Sequence, residues 1–147
     1  MIARHGNFKI VFILAVILLS SCATPYQNSG FAGGFEETKI SENSYRVSFR
    51  GNGYSSSHRA VDFNLLRSAE LTVRDGYEYF IVLDGQDSVD KSLYFNPGSL
   101  NVAPTYGMIT KPRASNVITM LHLKPEGVFS YHASTVVANL KAKYGIE

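Results

Sequence analysis

Two carboxylates in the centre of the sequence are candidates for acid–base chemistry. Asp62 and Glu70 fall within or at the edge of the apolar arc of a predicted helix, and two carboxylates near a core can act as a general acid and base. However, Asp62 is expected in or near the first turn of this helix, where the helix dipole favours a negative charge. Glu70 also has Arg67 and Arg74 as i−3 and i+4 partners. We therefore expect both carboxylates to form structural ion pairs.

Serine and histidine side chains are the next candidates. Ser55-Ser56-Ser57-His58 places a hydroxyl beside an imidazole, but neighbours in sequence rarely form a hydroxyl–base pair with the required orientation. His58, His122 and His132 lack the i, i+2 or i, i+4 spacing of metal ligands, and a zinc site needs a closed set of ligands. We expect no catalytic residue, no metal, no cofactor and no enzymatic activity.

Arg50-Gly51-Asn52-Gly53 is the candidate binding loop, because it joins a predicted strand to a predicted helix. Glycines there can let backbone N–H groups turn toward an anion near the positive end of the helix. The segment has neither the spacing of a P-loop or dinucleotide fingerprint nor a following Lys-Ser/Thr pair. The alternative, which we favour, is a connection whose glycines serve positive φ and close packing.

The first 21 residues have the pattern of a secretory signal peptide. Arg4, His5 and Lys9 precede an apolar run at 10–19, which is shorter than the roughly 20 residues of a membrane-spanning helix. Removing Arg4 and Lys9 from the 14 Lys and Arg residues leaves 12, equal to the 12 Asp and Glu residues. The mature chain is therefore close to neutral, which argues against a nucleic-acid partner.

Cys22 is the only cysteine, so it cannot form a disulfide within the chain. Leu19-Ser20-Ser21-Cys22 resembles the lipobox of bacterial lipoproteins. The resemblance implies cleavage between Ser21 and Cys22, a diacylglycerol on the Cys22 sulfur and an acyl group on the new amino terminus. Ala23, in place of an aspartate, favours by analogy the periplasmic face of the outer membrane.

The segment at 22–34 is predicted to be a lipidated N-terminus followed by a flexible tether. It is rich in Pro, Gly, Ser and Asn and shows no periodicity. The alternative is that Tyr26 and Phe31 pack back onto the domain. Residues 35–147 are then a single globular domain, because a mature chain of this size is typical of one core.

The pattern of the domain predicts an α+β fold (an α/β sandwich): a small mixed sheet of about four strands and two helices in the order ββαβ(β)βα. Strands are expected at 35–40 and 44–50, and the second alternates Tyr45, Val47 and Phe49 with polar residues. A helix is expected at 57–75, with Ser56 or Ser57 as its N-cap and Gly76 after its end. Its predicted apolar arc contains Val61, Phe63, Leu65, Leu66, Ala69 and Val73, and the residues expected opposite this arc are Asn64, Arg67, Arg74 and Asp75.

The second half of the domain is less regular in pattern. The continuous apolar run at 79–83 is typical of a central strand covered on both faces, and strand–helix–strand order predicts a crossover between parallel strands. Residues 85–113 are expected to be irregular, with a short strand around Met108 as an option. A strand at 117–124 and a final helix at 133–143 complete the prediction.

Half of the mature chain resembles a family of small lipoproteins of Gram-negative bacteria. The resemblance runs through Cys22–Tyr26, Gly33-Gly34-Phe35, YRVSFRGNG at 45–53 and LLRSAELTVRDGYEYFIVLD at 65–84. The family has no assigned activity, so the likeness bears on location and fold. Together these features predict a lipid-anchored, non-catalytic module that binds an envelope protein, for which the aromatic pair Tyr94-Phe95 is a candidate surface. The alternatives are a periplasmic enzyme or ligand-binding protein with a site near 50–53, and a passive structural lipoprotein.

Overall fold

In the described part of the chain, five strands and two helices follow one another in the order β1β2α1β3β4β5α2. Their bounds are β1 Gly34–Ser41, β2 Ser44–Arg50, α1 Ser57–Arg74, β3 Tyr79–Asn96, β4 Thr105–Leu121, β5 Tyr131–His132 and α2 Ala133–Tyr144. This computed structural model describes residues 23–99 and 102–147. The predicted signal peptide and Cys22 lie outside the described residues.

The strands form one sheet in the order β1-β2-β4-β3-β5, so the predicted α+β class is confirmed. All hydrogen-bonded neighbours are antiparallel. Because β2 and β3 are both antiparallel to β4, they run parallel to each other, as the strand–helix–strand pattern predicted. The strand between them is β4, which comes later in the sequence.

Helix α1 begins and ends where its capping residues predict. The Ser56 hydroxyl accepts a hydrogen bond from the backbone N–H of Arg59 at 3.1 Å, which satisfies a free donor of the first turn. Gly76 follows the helix with φ of 85°, a conformation that glycine adopts without the steric cost of a Cβ atom.

The buried face of α1 differs from the predicted apolar arc. Phe63, Leu66 and Ala69 are buried as expected, but Val61 and Val73 are exposed. The amide of Asn64, which was predicted to face away, is buried and donates to the carbonyl oxygens of Val47 at 2.8 Å and Ala114 at 3.2 Å. The helix is turned toward the sheet on its side nearer Asn64, because that amide bridges two strands.

The core lies between the sheet and the helices in two clusters. One cluster joins Tyr45 and Val47 of β2 to Leu71 of α1 and Ala133 of α2, and the other surrounds Phe63. The predicted alternation of β2 is confirmed, since Tyr45, Val47 and Phe49 are all buried. Each apolar strand residue on this face therefore packs against a helix.

The start of β3 is not covered on both faces, so that prediction is wrong. Phe80 is buried, whereas Leu83 is 62% exposed and sits in a bulge between the paired residues Val82 and Asp84. The two helices lie against one face of the sheet only. In a sheet that is covered on one face, only alternate residues of a strand are buried, so the continuous apolar run at 79–83 places some apolar side chains on the open face.

The prediction of irregular structure at 85–113 is also wrong. β3 and β4 have 18 and 17 residues and remain paired as far as Asn96 and Thr105. Eight paired rows, from Val89–Pro112 to Asn96–Thr105, lie beyond the last row that β4 shares with β2. We call residues 89–112 the hairpin arm. The strand predicted at 117–124 is thus the end of β4, which stops at Leu121.

The N-terminal segment lies against the domain, which corrects the flexible tether predicted at 22–34. Thr24 is fully buried, and the Tyr26 ring packs 4.9 Å from Phe35 and 5.3 Å from Phe63. The alternative therefore holds for Tyr26, whereas Phe31 is fully exposed. Composition alone favoured a tether, but the buried hydrogen bonds of Thr24 and the Tyr26 ring offset the entropy lost on ordering this segment.

Asp75 caps the end of α1 in a cluster of polar contacts. Its carboxylate accepts from Arg74 Nε at 2.8 Å and from the Tyr45 hydroxyl at 2.8 Å, with Lys39 Nζ at 3.7 Å. The hydrogen bond from Arg74 lowers the pKa of Asp75, against a smaller opposing effect of burial. Because the folded state holds the ionised form, this contribution to stability is present above the usual Asp pKa of about 3.9 and is lost as pH falls through the lowered value.

We therefore predict that Asp75→Asn destabilises the domain at pH 7 but not in acid. The loss at pH 7 is expected to be about 0.2–1 kcal/mol, the range of partly exposed ion pairs. Urea unfolding of both proteins between pH 7 and pH 2.5 measures it. The difference in the free energy of unfolding should shrink below pH 4, and an equal difference at both ends of the range would contradict the assignment.

Candidate functional site

The loop at 50–53 uses its backbone donors inside the protein. Gly51 N–H donates to the Pro112 carbonyl at 2.8 Å, and Asn52 N–H donates to Thr24 Oγ1 at 2.8 Å. Tyr54 N–H donates to Asn52 Oδ1 at 3.0 Å. The candidate cradle of backbone N–H groups for an anion is therefore not formed by these three donors, in agreement with the structural role that the sequence favoured.

Close packing explains the two glycines of this loop. A Cβ atom on Gly51 would lie 2.6 Å from Ser55 Cβ, and one on Gly53 would lie 2.9 Å from Ile109 Cγ2. Both distances are shorter than real side chains tolerate. Neither glycine has a positive φ, so of the two structural reasons predicted for these glycines, close packing applies and backbone conformation does not.

An open cleft of about 360 Å³ lies beside the loop. Arg50, Gly51 and Asn52 line it together with Asp90 and Lys111 of the hairpin arm. The structure thus brings the predicted loop residues next to two charged residues that the sequence did not associate with them. Two cations and one carboxylate can bind a polar or anionic ligand through side chains.

Glu70 belongs to a network that fixes the N-terminal segment to α1. The Tyr26 hydroxyl donates to Glu70 Oε2 at 2.6 Å, and Arg67 Nη1 donates to the same oxygen at 3.2 Å. Arg67 Nη2 also donates to Glu37 at 2.6 Å. The predicted Arg67–Glu70 pair is confirmed, and the Arg74–Glu70 pair is wrong because Arg74 contacts Asp75 instead.

The charges in this network are held by their partners. Burial, together with the carboxylate of Glu70, raises the pKa of the Tyr26 phenol. Burial disfavours the charge of Arg67, but the hydrogen bond and charge of Glu37 outweigh it and raise the pKa of Arg67. Near neutral pH Tyr26 therefore stays neutral and Arg67 stays charged. Groups that keep one charge state do not suit proton transfer.

We predict that Tyr26→Phe lowers the free energy of unfolding by about 1.5 kcal/mol, because a hydrogen bond to a charged group is lost. Urea unfolding measures the change. Tyr54→Phe is the matched control, because the Tyr54 side chain is exposed. This substitution should change the free energy of unfolding by less than about 0.5 kcal/mol. Equal effects of the two substitutions would contradict the packing of the N-terminal segment.

Asp62 connects the two helices. Its Oδ2 accepts from Lys143 Nζ at 2.6 Å and from the Tyr144 hydroxyl at 2.6 Å. Burial and this carboxylate raise the pKa of Tyr144. The helix-dipole explanation for Asp62 is replaced, because Asp62 lies beyond the first turn of α1 and pairs with α2.

His122 and His132 contact aromatic and hydroxyl side chains. The His122 ring stacks on Tyr77 with 4.3 Å between centroids, and His132 Nδ1 contacts the Thr135 hydroxyl at 2.8 Å. Within residues 23–99 and 102–147, no group of three His, Cys, Asp or Glu side chains is placed to hold a metal ion.

The hairpin arm is the largest feature that the sequence did not predict. It carries many of the exposed large apolar side chains, including Leu93 at 79% and Tyr106 at 80% exposure. The candidate pair Tyr94-Phe95 lies in this arm with its residues on opposite faces, since strand neighbours alternate. A period-two pattern at 89, 93 and 95 was the available signal, but charged and polar residues interrupt it.

One side of β3 is an open strand edge. β5 pairs only with Tyr79 and Phe80, so from Ile81 to Asn96 that side of β3 has no strand neighbour in the described part of the chain. Proteins usually shorten or cover such edges, because exposed backbone donors and acceptors can pair with another strand.

Comparison of the chain with protein-family models, with curated proteins and with solved structures finds no match. The likeness to a lipoprotein family stays a prediction. Neither α1 nor α2, the two helices described, combines the length and apolar character of a membrane span.

Proposed function

We propose that this chain is a lipid-anchored envelope protein that binds another envelope protein and has no catalytic activity. The anchor is supported by the lipobox-like Leu19-Ser20-Ser21-Cys22 after a short apolar run. The proposed location is the periplasmic face of the outer membrane, because alanine and not aspartate follows Cys22.

The open edge of β3 is the observation that carries the proposed binding. An extended segment of a partner can add to such an edge as a new strand, with main-chain hydrogen bonds giving affinity and alternate side chains giving specificity. The edge is 16 residues long, from Ile81 to Asn96, which exceeds an average strand of 5–6 residues by about threefold. A partner strand therefore has room to bind without displacing any strand of the sheet.

Photo-crosslinking in intact cells tests the proposal. A photoreactive residue is placed at Tyr94, whose side chain is exposed in β3, and a matched one at Asn139, which is exposed on α2 far along the chain from the arm. We expect Tyr94 to trap one protein of defined mass and Asn139 to trap none. The same band from both positions, or none from Tyr94 and other exposed positions of β3, would contradict the proposal.

The cleft beside Arg50 supports a second candidate function, which is binding of a small anionic ligand. Arg50 and Lys111 would supply the charge, because the backbone donors of Gly51 and Asn52 have protein partners. Calorimetric titration with inorganic phosphate tests it, with Arg50→Ala as the variant and Arg46→Ala as the control on the same face of β2. Saturable binding that only Arg50→Ala removes would support this candidate.

A further inference from the structure

One face of the hairpin arm is apolar along its length. Strand alternation places Val89, Leu93 and Phe95 of β3 on the same face as their partners Tyr106 and Met108 of β4. All five side chains are exposed, and the rings of Phe95 and Tyr106 are 4.9 Å apart. The row Lys91–Thr110 interrupts this face. The opposite face carries Asp90, Ser92 and Lys111 together with the apolar residues Tyr94 and Ile109, so it is the more polar of the two. The arm is therefore amphipathic, although no described element covers its apolar face.

This apolar face continues the covered face of the sheet. The row Asp87–Ala114 lies on the same face of the β3–β4 pair as the row Val89–Pro112, two residues further along. Ala114 is buried beneath α1. The apolar side of the arm thus lies on the helix side of the sheet. It extends about 27 Å past the sheet, at about 3.4 Å for each of the eight rows.

The N-terminal segment leaves the domain at the base of the same arm. Thr24 N–H donates to Ser55 Oγ at 3.1 Å, and Thr24 Oγ1 accepts from Asn52 N–H at 2.8 Å. The same loop contacts the arm, because Gly51 N–H donates to the Pro112 carbonyl at 2.8 Å. From Tyr26, which packs on Phe63, the chain therefore runs back toward the arm as far as Thr24.

A lipid on Cys22 would hold this end of the domain close to the membrane. One residue, Ala23, separates Cys22 from the fixed Thr24, and the two steps of chain between them span at most about 7 Å. A long tether would allow any orientation, whereas this short connection would keep the base of the arm near the lipid surface. The apolar arm and the lipid surface are then neighbours.

We propose that the apolar face of the hairpin arm, with Val89, Leu93, Phe95, Tyr106 and Met108, lies on the lipid surface of the membrane that holds the anchor. This inference rests on the proposed lipidation of Cys22. Aromatic side chains favour the boundary between headgroups and acyl chains, and burial of an apolar face at that boundary adds to the hold of a covalent lipid.

The arm lies along the surface and does not cross the bilayer. A two-stranded ribbon has two open edges, and unpaired backbone groups are too costly in hydrocarbon. Lys91 shares the apolar face and can extend its ammonium group to the headgroups. The open edge of β3 is perpendicular to this face, so lipid contact leaves it accessible to a partner strand.

A single-thiol experiment tests the inference on the whole anchored protein. Lipidation blocks the thiol of Cys22, so a cysteine introduced at Leu93 is the only free thiol. Leu93→Cys reports on the apolar face, and Ser92→Cys, its neighbour on the opposite face, is the matched control. Each variant is purified from membranes, labelled with an environment-sensitive fluorophore and reconstituted into phosphatidylethanolamine–phosphatidylglycerol vesicles.

We expect nitroxide-labelled lipids to quench the label at position 93 several-fold more than the label at 92, and aqueous iodide to show the reverse order. Equal quenching of both labels by iodide would overturn the inference. Protection of position 93 from iodide without quenching by lipid nitroxide would overturn it in favour of a protein or a second copy on this face. The intact mass of each variant shows whether Cys22 carries the lipid. A lipidated protein whose arm does not contact the membrane is thereby distinguished from a protein with an unmodified Cys22.

Discussion

Replacing Cys22 by alanine is expected to move the protein from the membrane fraction to the soluble fraction almost completely. Each buried methylene contributes about 0.8 kcal/mol, so two or three long acyl chains on one residue hold a protein almost irreversibly. Among the described residues, no helix is long and apolar enough to span a bilayer. Membrane fractionation and intact mass measure the change.

The matched control for this prediction is Ser21→Ala, which keeps a small residue before the cysteine and should remain in the membrane fraction. Intact mass separates a released Cys22→Ala chain from one that keeps residues 1–21. Because the contacts of the domain begin at Thr24, the variant should unfold at the same urea concentration as a delipidated wild type. A wild-type protein that is water-soluble with a free Cys22 thiol would contradict the anchor and everything that rests on it.

Local signals predicted the helices and the first hairpin well. The start of α1 follows from Ser56 and its end from Gly76, because each residue acts on backbone groups within one turn. Helix α2 ends at Tyr144, one residue from its predicted end. β2 follows from an alternation that is complete within seven residues. In each case the residues that decide the structure are neighbours in sequence, so a single sequence contains the whole signal.

The hairpin arm could not be predicted in the same way. Its strands pair rows such as Asp90–Lys111, and its faces are exposed, so burial imposes no strict period on the sequence. Pro97 and Gly98 directly follow the end of β3 at Asn96, but the sequence was not interpreted as a hairpin there. A pairing register between two exposed strands depends on backbone contacts that any residue can make, and this is why the pattern at 85–113 appeared irregular.

The sequence predicted which residues form the candidate sites, but it did not predict which residues from other parts of the chain lie next to them. Arg50 and Asn52 line a cleft, but Lys111 and Asp90 reach it only through the pairing of β3 with β4. Similarly, the partners of Glu70 include Tyr26, which lies 44 residues earlier. Asn64 was predicted to lie opposite the apolar arc of the helix, and it is buried because its amide donates to two strand carbonyls.

Replacing Phe63 by alanine is expected to lower the free energy of unfolding by about 3–5 kcal/mol, the usual cost of removing a buried aromatic ring. Phe63 is fully buried, and its ring lies 5.2 Å from Phe49, 5.3 Å from Tyr26 and 4.8 Å from Tyr144. It thus joins β2, the N-terminal segment and α2 through one side chain. Since small domains have only about 5–15 kcal/mol in total, the loss is a large fraction.

Urea unfolding of the domain without its anchor measures this prediction, and Val61→Ala is the matched control. Val61 lies two residues away on the same helix, and the apolar pattern gave both residues to the same face, but Val61 is exposed. Its substitution should cost less than about 1 kcal/mol. If Phe63→Ala does not fold, Phe63→Leu keeps most of the volume and should show a smaller, measurable loss. Equal costs at positions 61 and 63 would mean that α1 is rotated from the orientation described, and Asn64 would then lose its two strand carbonyls as well.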